Sequence, residues 1–369
     1  MSDNPLDKTA PEVEHRFPCD NCGSDLRFDP QDNALKCDYC GNVQPMLETV
    51  KSTIRELDFR SALRGALEDT EMEDTRVSKC PNCGAQFEFD PNIHAAECPF
   101  CATPIVTDTG TRRQIKPRAV LPFEIAERDA QKAMVDWLGK RWFAPNGLKE
   151  YSKKGRKLVG IYVPYWTYDA DTKTSYTGQR GKIYYETRTV MRDDKRHQQR
   201  VAKTRWSTVG GRVARFFDDV LVLASTSLPK SYTDALAPWH LAQLAPYTPE
   251  YLAGFRAEGY TVDLEQGFQE ARAKMDAMIT RDIRFDIGGD KQRITSADTT
   301  VKDVTFKHIL LPVWMAVYKY RGKTYRFVVN GQTGTVKGER PYSSVKITIA
   351  VIIGLLVAVA VGYGMALNQ

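Results

Sequence analysis

Eight cysteines, all before residue 102, constrain this chain more than any other feature. They are Cys19, Cys22, Cys37, Cys40 and Cys80, Cys83, Cys98, Cys101, and both sets read C-x2-C-x14-C-x2-C, repeated after 61 residues. The neighbours repeat too: "CDNCGSDLRFDP" aligns with "CPNCGAQFEFDP", setting Phe28-Asp29-Pro30 over Phe89-Asp90-Pro91. Paired C-x2-C at this spacing is a zinc pattern. A structural Zn²⁺ takes four ligands in a tetrahedron, with Zn–S near ~2.3 Å. One C-x2-C places two thiolates on a tight turn, and the 14 residues between pairs allow a strand, a turn and a returning strand. Units of about 25–30 residues bury too little apolar surface to fold unaided, so the metal supplies most of their folding free energy. The sequence therefore predicts two closed structural zinc sites. Four thiolates fill each tetrahedron, leaving no place for nearby His15 or His94 and no open position for catalysis. Disulfides are disfavoured, because residues 1–14 are polar and acidic with no apolar signal core.

The other end is apolar. Residues 347–367, "ITIAVIIGLLVAVAVGYGMAL", hold no charge. As a helix they span roughly 31 Å, the thickness of a bilayer core. Lys337, Arg340 and Lys346 precede this run and no charge follows it. The positive-inside rule then predicts a single C-terminal span in a bacterial inner membrane, with the large N-terminal part in the cytoplasm, a tail-anchored arrangement. A reducing cytoplasm also keeps the thiols free for zinc.

Between these ends the charge is split. Residues 1–110 hold 10 Lys+Arg against 21 Asp+Glu, while the remaining 259 hold 42 against 25. An acidic head is a poor phosphate-binding surface, which argues for protein contacts and against nucleic acid at the ribbons. The head's acidity also fits a basic partner or the chain's own basic body. The predicted organisation is zinc ribbon 1 (15–45), a linker with a short helix (46–77), zinc ribbon 2 (78–108), an α+β domain (117–340) and a transmembrane helix (347–367). In the linker, Leu57, Phe59, Ala62, Leu63 and Leu67 form a helical stripe, and "EDTEMEDT" (68–75) reads as an acidic turn. In the body, "AVLPFEI" (119–125) reads as a strand. A helix follows over 126–143, with Ala130, Met134, Trp137, Leu138 and Arg141 on one side. Pro249 starts a second helix, and Asp263 with Gln266 starts a third, as in a capping box. "IYVPYW" (161–166) echoes "ILLPVW" (309–314), aligning Pro164 with Pro312 and Trp166 with Trp314, so the body reads as α+β with a duplicated half. Proline removes a ladder donor, which predicts an edge or a strand start at both places. The tryptophans read as core anchors.

No motif in the body carries chemistry. "RGKT" (321–324) lacks the first glycine of a phosphate loop, since position 317 is Val. "GGD" (288–290) reads as a turn, and His197, His240 and His308 are isolated, so the expectation is a protein without catalytic residues. Three basic clusters stand out: Arg112, Arg113, Lys116, Arg118; Lys149, Lys153, Lys154, Arg156, Lys157; and Arg192, Lys195, Arg196, Arg200. They read as solvated faces, or as contacts for anionic lipid headgroups at ~1 kcal/mol per cation.

Taken together, "CDNCGSDLRFDP", "CPNCGAQFEFDP", "CPFCATP", "LPFEI", "GIYVPYWTYDAD", "LAPYTPEYLAGFRAEGY" and "LLPVWMAVYKYRGKTYRFVVNGQTG" resemble the bacterial membrane-anchored proteins with tandem zinc ribbons. Such proteins are encoded beside SPFH (flotillin-like) and PspA-like coat proteins. The resemblance implies a non-enzymatic scaffold that recruits such partners to the inner membrane under envelope stress. Through the ribbons alone, the chain also resembles the zinc segment of the primosomal replication helicase. That implies a nucleic-acid-binding accessory without an ATPase as the alternative.

Overall fold

In the computed structural model the described residues are 17–46, 54–88, 95–101, 103–106, 109–143, 145, 158–192, 195–320, 323–339 and 342–367. Ribbon 1 is a three-stranded antiparallel sheet of β1 (Leu26–Asp29), β2 (Ala34–Cys37) and β3 (Val43–Gln44). β4 (Leu57–Asp58) and α1 (Phe59–Leu63) follow, the Asp58 carboxylate capping α1 at the Ser61 N–H. Ribbon 2 is larger than its cysteine spacing suggests. β5 (Met72–Lys79) pairs with β6 (Gln86–Glu88) and with β9 (Thr109–Ile115), while β7 (Ala95–Glu97) pairs with β8 (Pro104–Val106). Met72–Thr75, expected in an acidic turn, are thus the first residues of a strand, and only Asp69–Glu71 form a helical turn. β9, past the expected boundary at 108, supplies the long ladder that closes the stem.

The body is built from β10 (Ala119–Val120), α2 (Glu127–Gly139), β11 (Val159–Arg192), β12 (Lys195–Leu223), α3 (Lys230–Thr233), β13 (Ala245–Pro246), β14 (Arg256–Ala257), α4 (Leu264–Ile287), β15 (Lys291–Tyr320), β16 (Lys323–Asn330) and β17 (Val336–Gly338), followed by α5 (Ser344–Leu367). Mixed helix and strand, as expected, they form a sheet with the order β12-β11-β15-β10-β13, and β14, β16, β17 and β4 pair off its flanks. The expected strand over 119–125 shortens to β10, because only Ala119 and Val120 find partners on β15. The helix expected at Pro249 is a single 3-10 turn ending at Leu252, and Arg256–Ala257 then join β11 as a parallel strand. α2 buries Ala130, Met134 and Leu138. Arg141 lies past its end, with the guanidinium 4.8 Å from the centre of the Trp137 ring.

The echo between 161–166 and 309–314 is a structural repeat. β14 runs parallel to β11 at Ile161–Tyr162, and β10 runs parallel to β15 at Ile309–Leu310. The Glu258 N–H donates to the Tyr162 carbonyl at 3.0 Å, and the Leu121 N–H donates to Leu310 at 2.9 Å. The Trp166 indole donates to the Val262 carbonyl (3.0 Å), two residues before α4, and the Trp314 indole donates to Ile125 (2.7 Å), two residues before α2. Each half is thus a short strand, a helix and a hairpin, with the short strands exchanged. Both tryptophans are buried, as expected.

The prolines sit neither at a sheet edge nor at a strand start. On β11 one flank is covered by β14 up to Tyr162 and by β12 from Tyr165; on β15 it is covered by β10 up to Leu310 and by β16 from Val313. Pro164 and Pro312 occupy the two gaps where one partner gives way to the next, the place in each ladder where a missing N–H costs nothing. Their carbonyls accept from Ala224 (3.0 Å) and Gly331 (2.8 Å).

Beyond this base, β12, β11 and β15 run on together as a three-stranded stalk. α4 lies on one face, burying Leu264, Gly267, Ala271, Met275, Ile279, Ile283 and Ile287 against Trp166, Tyr168, Tyr176, Phe217 and Phe306. The stripe repeats every three or four residues, as a helix on a sheet requires. At Gly267 a side chain would meet the Tyr168 hydroxyl at 2.5 Å, so glycine permits the close approach. β15 stops pairing at Lys291, opposite Gly181, and past that point, among the described residues, β11 pairs with β12 alone as a two-stranded arm.

Candidate metal centres and the charges around them

All four cysteine pairs fold alike. The N–H of the first cysteine donates to the carbonyl five residues on: Cys19 to Ser24, Cys37 to Asn42, Cys80 to Ala85 and Cys98 to Thr103, each at 2.8 Å. In three of them the residue after the second cysteine is glycine, and Gly23, Gly41 and Gly84 hold φ of 75°, 76° and 74°, where an L side chain is strained. The turns point backbone N–H groups at sulfur. Asn21 and Cys22 face Cys19, Tyr39 and Cys40 face Cys37, Asn82 and Cys83 face Cys80, and Phe100 and Cys101 face Cys98. Such donors stabilise a thiolate rather than a thiol.

The sulfurs converge as two groups of four, Cys19, Cys22, Cys37, Cys40 and Cys80, Cys83, Cys98, Cys101, each within 4.8 Å of one another. The Sγ–Sγ separations are 3.6 Å (Cys19–Cys40), 3.5 Å (Cys22–Cys37), 3.6 Å (Cys80–Cys101) and 3.7 Å (Cys83–Cys98). A tetrahedron with metal–sulfur bonds of ~2.3 Å has edges of about 3.8 Å, so both knots have the size and donors to hold a metal ion. The protons are shared unevenly within a knot. The bond from Cys98 and the Ala85 N–H hold Cys83 down at about 5 against burial, while the same pairing and burial push Cys98 up. His15 and His94 lie outside the described residues.

The knots differ in exposure. In ribbon 1, Cys22 and Cys40 are exposed, and Tyr39 between the second pair is 84% accessible. In ribbon 2, Cys80, Cys98 and Cys101 are buried in one cluster with Ile161, Leu236 and Leu311 of the body. Ribbon 1 is seated by its opposite side: the Phe28 ring lies edge-on to Tyr251 at 5.3 Å, and the Phe28 N–H donates to Ala253. The acidic head also meets the basic body, as Glu71 pairs with Arg118 and Glu56 with Lys307, while Asp69 pairs with Arg113 of ribbon 2's own β9. The first basic cluster is therefore partly spent in pairs within the chain. The second lies outside the described residues, and the third lies on the arm.

Two buried polar groupings were not anticipated. Lys307, 6% accessible, places Nζ 2.9 Å from Glu56, 2.7 Å from Asp219 and 3.7 Å from Asp169. Burial and the neighbouring Glu56 carboxylate raise Asp169 to about 7, while the bond from Asp169, the Thr305 hydroxyl and Lys307 together hold Glu56 down at about 2 despite burial. The oxygens of Asp169, Asp218 and Asp219 are close enough to hold a cation, and the Lys307 ammonium already lies beside two of these carboxylates. The second grouping lies where ribbon 2 meets the body, around a small cavity lined by Gln114, Glu258 and His308. Burial raises Glu258 to about 8, although the Ser225 and Ser227 hydroxyls donate to it. Burial lowers His308 to about 4, with Nδ1 2.7 Å from the Ile115 carbonyl. The only hint in the sequence is a polar pair, Lys307-His308, leading into the apolar run from Ile309. Elsewhere, Gly288-Gly289-Asp290 is the expected turn: it ends α4, and the Asp290 carboxylate accepts from the Ile183 N–H at 2.7 Å.

Among known proteins, the chain is 26% identical over 333 residues to the uncharacterized protein YdjG of Bacillus subtilis (strain 168), covering 90% of this chain and 91% of that one. The likeness is therefore one of whole chains rather than of zinc ribbons alone. No family model matches, and no solved structure matches.

Proposed function

We propose that the protein is a non-enzymatic, membrane-anchored platform whose zinc-loaded ribbons recruit protein partners to the bacterial inner membrane. Two features of the structure support the anchor. α5 is one helix long and apolar enough to cross a bilayer, and none of its spanning residues is buried against the rest of the chain. Its start is tied to the residues that follow α2, where the Ser343 N–H donates to Phe143 and Lys346 Nζ donates to Trp142. Trp142 and Tyr342, 55% and 62% accessible, stand beside Lys346 at this point. Aromatic and basic residues at the foot of an apolar helix suit the headgroup layer. The positive-inside rule then keeps the body cytoplasmic, where thiols stay reduced for zinc.

The observation that carries the recruiting role is the unequal seating of the knots. Ribbon 2 is spent on holding the body together, whereas ribbon 1 turns Cys22, Tyr39 and Cys40 outward on a base fixed against Tyr251 and Ala253. A rigid, exposed, acidic ribbon tip is a surface for a protein partner. SPFH or PspA-like proteins are the partners that the sequence resemblance implies. The test is fractionation with mass spectrometry. The full chain should hold a cytosolic partner at the membrane, removal of 344–369 should release it, and Cys22→Ser should release it while leaving the body folded. A chain that carries nothing to the membrane would sink the proposal.

A further inference from the structure

The two-stranded arm, Lys182–Arg192 with Lys195–Arg205, takes no part in that reading. Residues 182–205 contain Lys182, Arg188, Arg192, Lys195, Arg196, Arg200, Lys203 and Arg205 against Glu186, Asp193 and Asp194. The register distributes them unevenly. One face takes the pairs Lys182–Arg205, Tyr184–Lys203, Glu186–Val201 and Arg188–Gln199, so four cationic positions share it with one carboxylate. The other takes Ile183–Thr204, Tyr185–Ala202, Thr187–Arg200 and Thr189–Gln198. Lys203 pairs with Glu186, while Lys182 stands opposite Arg205 with like charge. Like charges facing across a strand pair are destabilising, and a two-stranded ribbon on which no third strand or helix packs among the described residues is marginal. Both costs fall when an anion lies along the basic face. Guanidinium groups also lie over rings: Arg200 over Tyr185 at 4.9 Å, Arg205 over Tyr184 at 5.2 Å and Arg293 over Trp206 at 4.0 Å.

We propose that this arm binds double-stranded DNA through its phosphates. The major groove, ~12 Å wide, admits a two-stranded β-ribbon, and a row of cations along one face suits a line of phosphates. A lipid surface fits less well. α5 starts from the base, at Phe143 and Trp142. β11 has by Lys182 run about 75 Å from its first residue at ~3.3 Å per residue. The acidity of the ribbons does not count against DNA here. They pack on the base, and a Debye length of ~8–10 Å screens their charge from the arm.

The experiment uses the full chain in phosphatidylcholine nanodiscs and a short fluorescein-labelled DNA duplex, followed by anisotropy across salt concentration. Wild type should bind with a steep negative salt slope. The combined variant Lys182→Gln, Arg188→Gln, Lys203→Gln, Arg205→Gln should bind at least about tenfold more weakly near 0.1 M salt, with the slope shallower by about 3–4. Arg→Lys at positions 188 and 205 should retain the slope. Circular dichroism and zinc content must match wild type for all of these. Equal binding by the glutamine variant overturns the proposal. So does a wild-type chain that ignores the duplex, including one that binds phosphatidylglycerol vesicles through the same residues. Neither result touches the recruiting role of ribbon 1, which is read from the fractionation.

Discussion

The two cysteine knots share spacing, turns and sulfur geometry, yet they do different work because of what lies beneath them. Ribbon 2 turns its sulfurs and Phe100 inward, so that metal ligands and body core form one cluster. Ribbon 1 sits on the body through Leu26, Phe28 and Leu35 and leaves half of its cysteines in solvent. The same metal-binding pattern is thus built once into the core and once onto the surface. Spacing fixes the knot, and only the residues between and after the cysteines decide which way it faces: Phe100 in the last turn of ribbon 2, Tyr39 in the matching turn of ribbon 1.

That contrast is most sharply broken at Phe100, which has no accessible surface. Phe100→Ala should cost about 3–5 kcal/mol by emptying a packed site, and the loss should extend to the whole body in urea unfolding followed by tryptophan fluorescence. A change that leaves Trp166 and Trp314 unfolding as in wild type would show that ribbon 2 is not part of the core.

Acid should act on the ribbon 2 side next. His308 is neutral in the folded chain, lowered from 6.5 to about 4 by burial, whereas the unfolded chain protonates it from about 6.5 downward. The unfolded state therefore binds more protons between those values. The stabilisation is full above pH 6.5 and falls away as pH drops towards 4, by up to about 3 kcal/mol. His308→Gln should be less stable than wild type at pH 7, and the gap in urea midpoint should narrow by pH 5. A constant gap would mean that His308 titrates normally.

Chelation probes the same contrast without mutation. Zinc held by Cys22 and Cys40 in solvent should pass to a chelator before zinc held in ribbon 2. One equivalent should leave with the tryptophan signal unchanged, and the second should leave only as the body unfolds. Simultaneous loss of both would erase the distinction between display and core.

Much of this was legible in advance, for physical reasons. The cysteines, the apolar run at 347–367 and the Pro-x-Trp echo are local patterns that impose their structure whatever surrounds them. The capped start of α4 at Asp263 is another, and its carboxylate accepts from the Gln266 N–H at 2.8 Å. What failed was set by distant partners. Met72–Thr75 look like an acidic turn until β9 pairs with them, and Pro164 reads as an edge residue until β14 and β12 are seen to meet around it. The Lys307 cluster joins Glu56 to a strand some 250 residues later, a separation of 251 that no window on the sequence spans. The arm shows in the sequence as the basic cluster Arg192, Lys195, Arg196 and Arg200 and not as a projecting hairpin, since nothing local says that β15 stops at Lys291 while its neighbours go on.

The smallest expected effect on stability separates the two ribbons most cleanly. Tyr39 is exposed and lies in the turn between Cys37 and Cys40, where its N–H, which any residue supplies, serves the Cys37 sulfur. Its ring is absent from the apolar cluster that seats ribbon 1. Tyr39→Ala should therefore change stability by no more than about 0.5 kcal/mol, the usual range for an exposed site, and zinc content should stay at wild type. If ribbon 1 is a display, the same change should release the membrane-held partner, because exposed aromatics carry a large share of binding energy at interfaces. Loss of partner with stability intact would assign the ring to recognition. Loss of stability would place the ring in the fold, and ribbon 1 would then resemble ribbon 2 after all.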